Sequence, residues 1–307
     1  MSKEQHDYMR GRQADEYEGS TFREVRDQVF SDPYDTLPQY KITLGSLYHG
    51  VHNALLEACR RALTNKQDIV EHFQRLVHPL GISLTGIWEV TEDTPYTGLF
   101  RTGTRCRIIV RCSTLLDQTL QGQYRGFAFA GKLFPTLDPD ERVKTADFFT
   151  IDVLAGTQAK YFTGVELSNH PPLGFNRGLL KLFWLINATF AAFIRANWNP
   201  VMRPLYQLGE YGVPDEKLAR TPRWMMVKGW GGSGQVDAQD YRDELMVEKY
   251  KDGKLVFQVY TADEKLRTGD RDYKRIGQIT LDESVRSDSC DHRLKYRHPP
   301  LKKYRIL

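Results

Sequence analysis

Residues 83–91 (SLTGIWEVT), 107–113 (RIIVRCS), 126–134 (GFAFAGKLF) and 147–153 (DFFTIDV) decide the fold. Each is a short run rich in β-branched and aromatic residues, and Gly, Pro and Asp punctuate the gaps between them. That pattern predicts consecutive strands of an antiparallel sheet. Side chains on a strand alternate between faces, so Arg111 and Ser113 share one face while Val110 and Cys112 share the other. A polar face on an otherwise apolar strand fits the lining of a cavity.

Upstream, Leu44, Leu47, Val51, Leu55, Ala58 and Leu63 recur at helical spacing, and Ile69, Phe73 and Leu76 continue it after Asn65. Two amphipathic helices are therefore expected before His78. Residues 1 to about 40 are polar, hold few aliphatics and carry a Ser31-Asp32-Pro33 turn signal, so they read as an arm wrapped on a domain surface or partly disordered.

Downstream, residues 182–194 carry no charge and are flanked by Lys181 and Arg195. The run is shorter than the roughly twenty residues a bilayer core needs, which favours a buried helix over a membrane-dipping one. A second β segment begins near Arg223. It includes an expected hairpin in which Leu245–Tyr250 and Leu255–Tyr260 flank an Asp252-Gly253 turn, and a final strand is expected over Gly277–Leu281. Strands, a helical excursion and further strands together predict an α+β chain built on an antiparallel barrel.

Composition narrows the classes. At 307 residues, with 40% hydrophobic and 12% aromatic content, the chain supports a substantial core. Lys and Arg exceed Asp and Glu by only 43 to 39, so the net +4 does not call for a polyanionic partner, and nucleic acid is not expected. The basic residues concentrate at one end: Arg293, Lys295, Arg297, Lys302, Lys303 and Arg305 occur with no acid between His292 and Leu307. That run reads first as a solvated tail, with nucleic acid, lipid headgroups or cofactor carboxylates as the sharper alternatives. Cys59, Cys106, Cys112 and Cys290 form no C-x-x-C pair, so reduced thiols in the cytoplasm are expected, and no apolar signal segment opens the chain.

Four ordered segments carry a family resemblance: Arg75-Leu76-Val77-His78; Gly86-Ile87-Trp88-Glu89-Val90-Thr91; Val110-Arg111-Cys112-Ser113-Thr114; and Arg125-Gly126-Phe127-Ala128 with Lys132-Leu133-Phe134. They resemble, in order and near spacing, the R-V-x-H, G-x-F-E-V-T, V-R-F-S-T and R-G-F-A-x-K-F segments of catalases. Weaker similarity runs through Phe148-Phe149 and through Arg275 to Leu281. The resemblance implies a single catalase-like domain over residues 41–307, with N-terminal helices and a helical insertion, and heme b as cofactor.

Residue by residue, the resemblance makes His78 the distal histidine, which takes a proton from one peroxide oxygen and returns it to the other. It makes Ser113 the hydroxyl that orients that imidazole. Arg75 and Arg111 correspond to arginines on heme propionates, Val77 to the apolar residue above the ring, and Phe148 to a residue at the cofactor.

Two positions depart from the family pattern. Val143 stands where catalases carry the distal asparagine. Catalases also ligate iron through an Arg-x-x-x-Tyr helix, and no such pair occurs in these 307 residues. Tyr296 and Tyr304 are the nearby tyrosines, with Arg293 and Lys303 beside them to lower a phenol pKa; each reads first as structural, and Tyr304 is the candidate metal ligand.

Gly229 to Gly234 matches G-x-G-x-x-G, but the charged segment that follows suits a loop better than a nucleotide-binding helix. No G-x-S-x-G, H-E-x-x-H or Walker sequence is present. The expected function is that of a catalase-related heme protein that decomposes or rearranges hydrogen peroxide or a fatty-acid hydroperoxide. The alternative is a heme-free protein of the same fold that binds a lipid or small acidic ligand. A membrane surface and a homo-oligomer are compatible with the sequence, which specifies neither.

Overall fold

The computed structural model describes residues 19–30, 81–114, 127–152, 162–169, 220–222, 224–229, 241–263 and 272–286. Within them the strands are β1 (Gly81–Val90), β2 (Arg105–Thr114), β3 (Phe127–Phe134), β4 (Ala146–Asp152), β5 (Glu166–Ser168), β6 (Trp224–Gly229), β7 (Leu255–Ala262) and β8 (Lys274–Arg286). Every strand pairs antiparallel with its sequence neighbour, and β8 pairs with β1, closing an eight-stranded barrel. Closure leaves no edge strand among them.

The barrel closes because alternation is kept on every wall. Ile82, Leu84 and Trp88 of β1, Ile108, Val110 and Cys112 of β2, and Phe127, Phe129 and Leu133 of β3 point inward to one apolar cluster with Leu167, Val227, Phe257 and Ile279. Aromatic rings fill its axis. Trp88 lies 6.0 Å from Phe148, Phe148 stacks on Phe129 at 6.0 Å, and Phe129 meets Phe257 edge-on at 5.1 Å. Phe127, Phe162 and Tyr241 continue the packing toward one end. Each such ring removed from water stabilises the fold by about 1.5–3 kcal/mol.

At the β1–β8 seam the register shifts between Thr85 and Gly86, so that Thr85 faces Glu283 and Gly86 faces Leu281. Asp282 is the extra residue of this bulge. A side chain at Gly86 would place its Cβ 1.9 Å from the Thr280 carbonyl oxygen, so only glycine permits the approach.

Within the arm, Phe22–Phe30 forms helix α1 on the outside of the barrel. Thr21 and Glu24 make a reciprocal capping box: the Glu24 amide donates to Thr21 Oγ1 at 3.1 Å and the Thr21 amide to Glu24 Oε2 at 3.2 Å. Phe22 and Val29 pack against Ile109 and Phe134 on the outer wall, and Phe22 meets Phe134 edge-on at 5.5 Å. Arg23 adds a two-point ion pair with Asp140 at 2.6 and 3.0 Å.

The expected hairpin over Leu245–Tyr250 is corrected. That segment follows a short helix, α2 (Tyr241–Glu244), and coils through a 3-10 turn at Val247–Lys249. Tyr241, Leu245 and Val247 join the barrel cluster, so burying them at the barrel end outweighs strand pairing. The Asp252-Gly253 turn exists, with Gly253 at φ 57, but the partners of β7 are β6 and β8. The final strand is also longer than expected, and β5 was not anticipated. The helices expected over residues 44–76 and 182–194 lie outside the described residues.

Candidate functional site

With the interior filled largely by apolar side chains, Thr150 being a polar exception that donates to the Phe129 carbonyl, the polar residues Ser83, Thr85, Arg111, Ser113, Lys132 and Asp147 lie on the outer wall. The strand registers set them in three rows. Gly81, Ser113, Ala128 and Ile151 form the first, and Ser83, Arg111, Ala130 and Phe149 the second. Thr85, Ile109, Lys132 and Asp147 form the third. Directly opposed residues on antiparallel strands project from the same face, so each row is a line of neighbours.

These outer-wall positions are not solvated. Ser83 is 0% exposed, Arg111 2% and Ser113 3%, and Thr85 and Lys132 are buried as well. Lys132 is matched by Asp147, with Nζ 3.0 Å from Oδ1. Arg111 is surrounded by Gly81, Ser83, Ser113, Ala128 and Ala130, so one long cationic side chain lies on a floor of small residues. Its guanidinium leans over Gly81, where a Cβ would lie 2.9 Å from both Cζ and Nη2.

Among these polar groups Ser83 Oγ stands apart: it is buried and has no hydrogen-bond partner among the described residues. An unsatisfied buried hydroxyl costs about 1–3 kcal/mol. The Cys112 thiol, paired with Ile82 across the β1–β2 ladder, faces the interior instead; burial holds its pKa well above the usual thiol value, while the Arg111 charge works in the other direction. Cys112 is therefore a packing residue and not a thiolate.

Of the residues singled out in the sequence, Arg111 and Ser113 come together on this wall. Phe148 occupies the opposite face of the sheet, inside the barrel, with its ring over Gly131. Val143 bridges to Ser20 through backbone hydrogen bonds and packs beside α1. Arg75, Val77, His78, Tyr296 and Tyr304 lie outside the described residues. Sequence reasoning passed over Ser83. The available signal was its alternation with Thr85 against Ile82 and Leu84, which marks a polar outer face on β1 as clearly as Arg111 and Ser113 mark it on β2.

Among the described residues no cluster of three or more His, Cys, Asp or Glu side chains is arranged to hold a metal ion. No helix among them is long and apolar enough to cross a membrane.

No family model matches the sequence, and no curated protein matches it. Among solved structures the chain is similar to a bacterial catalase, at 12% identity and a TM-score of 0.34 over 83% of this chain and 55% of that one. It is similar also to a fungal catalase, at 14% identity and a TM-score of 0.34 over 83% of this chain and 57% of that one. The chain thus spans little more than half the length of either catalase.

Proposed function

We propose that this protein holds a carboxylate-bearing ligand against the outer wall of its barrel, and that the ligand is heme b used on hydrogen peroxide or a fatty-acid hydroperoxide. The observation that carries the reading is Arg111, a guanidinium only 2% exposed on a floor of small side chains. A planar fork of donors in such a place matches a carboxylate in charge and geometry, and in a dry site the match is far stronger than at a surface.

The wall suits the carboxylates of heme in its chemistry, because it sets a buried guanidinium beside the Ser83 hydroxyl, with the guanidinium seated over Gly81. The packed barrel interior does not fit a macrocycle, so the outer wall is where one would lie. In this reading Arg111, with Arg75, anchors propionates; His78 takes and returns a peroxide proton; Ser113 holds the imidazole in one tautomer. Bound heme would supply the redox-active iron for cleaving the O–O bond. The free, buried thiols of Cys106 and Cys112 support a cytoplasmic setting.

The lack of an Arg-x-x-x-Tyr pair favours a second reading, in which the same wall binds a fatty acid or another small acid without heme. One experiment separates the two: the absorbance spectrum of full-length protein produced with excess heme, followed by a peroxide assay on that sample. A stoichiometric Soret band with turnover that falls in His78→Ala is the expected result. Colourless protein that binds oleate would replace heme with an acidic lipid.

A further inference from the structure

We propose that Ser83 is a ligand-binding residue, its hydroxyl donating to the same carboxylate that Arg111 engages. This rests on the carboxylate-binding reading above and adds a specificity residue to it. Three observations converge. Ser83 faces Arg111 directly across the β1–β2 ladder, so both side chains leave the sheet on one face. The Arg111 guanidinium leans over Gly81, two residues from Ser83 on that same face and so about 7 Å along the strand. Ser83 Oγ is buried and has no partner among the described residues, whereas the nearby Lys132 is satisfied by Asp147 and Thr145.

A hydroxyl in that position is disfavoured in an apo protein, because alanine would fill the same space without an unsatisfied donor. A bound carboxylate removes the penalty. Its two oxygens present enough lone pairs for a guanidinium on one side and a hydroxyl on the other. The chemical class is therefore a carboxylate of a buried, largely apolar ligand, shared by a porphyrin propionate and a fatty acid.

The test titrates full-length protein with three probes: protoporphyrin IX, which keeps the propionates without iron; its dimethyl ester, which masks them; and oleate, read by displacement of the porphyrin and by tryptophan fluorescence. Ser83→Ala is expected to weaken the carboxylate probes about tenfold while leaving the diester unchanged, and Ser83→Thr to restore binding. Whichever of protoporphyrin IX and oleate responds identifies the source of the carboxylate. Melting temperatures keep the result interpretable: without ligand Ser83→Ala should melt no lower than wild type, and its ligand-induced stabilisation should be smaller. Wild-type affinity in Ser83→Ala, with loss in Arg111→Gln, would overturn the role of Ser83 and leave the carboxylate reading standing. Wild-type protein that binds neither carboxylate probe would overturn both.

Discussion

Lys132 and Asp147 form an ion pair across β3 and β4, with Nζ 3.0 Å from Oδ1 and side chains only 7% and 5% exposed. Thr145 Oγ1 accepts a further hydrogen bond from the same ammonium at 3.3 Å. The pair closes the third row of the polar strip, one register step from Arg111. Burial makes it costly to break and of little net value to keep. Asp147→Ala should therefore cost about 3–5 kcal/mol, whereas Lys132→Met with Asp147→Leu should come within about 2 kcal/mol of wild type. Urea unfolding of the three proteins measures both, and a mild single mutant beside a severely destabilised double would contradict the argument.

The room Arg111 occupies is set by glycine. At Gly81 an added Cβ would lie 2.9 Å from the guanidinium and 2.7 Å from the Cys112 carbonyl oxygen. Gly81→Ala is expected to lower stability by about 1–3 kcal/mol and to weaken carboxylate probes, although every polar group of the site remains. Binding unchanged from wild type would mean that the guanidinium works from another position.

Glu244 gives the barrel end a pH dependence. Its carboxylate accepts the amides of Phe162 at 2.6 Å and Thr163 at 3.1 Å, together with the Thr163 hydroxyl. Burial nevertheless raises its pKa, the hydrogen bonds opposing the shift in part. Between its unfolded and folded pKa values the folded protein keeps the proton that the unfolded chain releases, so stability falls as pH rises through that interval. Below the interval this contribution is fully present. Melting temperatures from about pH 4 to about pH 7 should show a downward component in wild type that Glu244→Gln lacks. Identical slopes would place the titration elsewhere.

Burial also governs thiol chemistry. Cys106 is 1% exposed and Cys112 0%, and desolvation raises the pKa of both. Native protein treated with iodoacetamide near neutral pH should leave both unmodified by peptide mass mapping, and both should react once the chain is unfolded. Modification of Cys112 in the native protein would mean that the barrel opens on the labelling timescale.

Tyr273 belongs to a separate polar contact, with its hydroxyl 2.6 Å from Ser168 Oγ and its pKa pushed up to about 12 by burial. A raised acid pKa favours the protonated folded state, so its contribution is lost as pH climbs from about 10 toward about 12. Tyr273→Phe should remove one late phenol from the ultraviolet titration of native protein. Loss of a phenol that titrates at about pH 10 instead would show that Tyr273 is accessible.

The first four strands were legible because a strand with one buried apolar face carries its period in the residues themselves. Val110 and Cys112 needed no partner strand to show that they share one face and Arg111 and Ser113 the other. Arg111 and Ser113 were visible as a pair for the same reason, and they belong to one of the four ordered segments that carry the resemblance to catalases. By itself, then, the sequence determined the strand class and the shared face of the two candidate residues, but not which face turns inward.

Tertiary structure decided what local pattern cannot encode. β5 spans three residues, too few for a period, and exists only because β4 and β6 flank it. Leu245–Tyr250 has the composition of a strand, yet its apolar residues gain more by capping the barrel core than by pairing. Closure of β8 onto β1, with the bulge at Gly86, is a contact between residues about two hundred positions apart. Closure also turned the polar face outward and, among the described residues, packed aromatic rings along the axis. The pairing of Ser83 with Arg111 follows from register, and register is a property of two strands together: hydrogen bonds and packed side chains on both must agree before either residue has a neighbour.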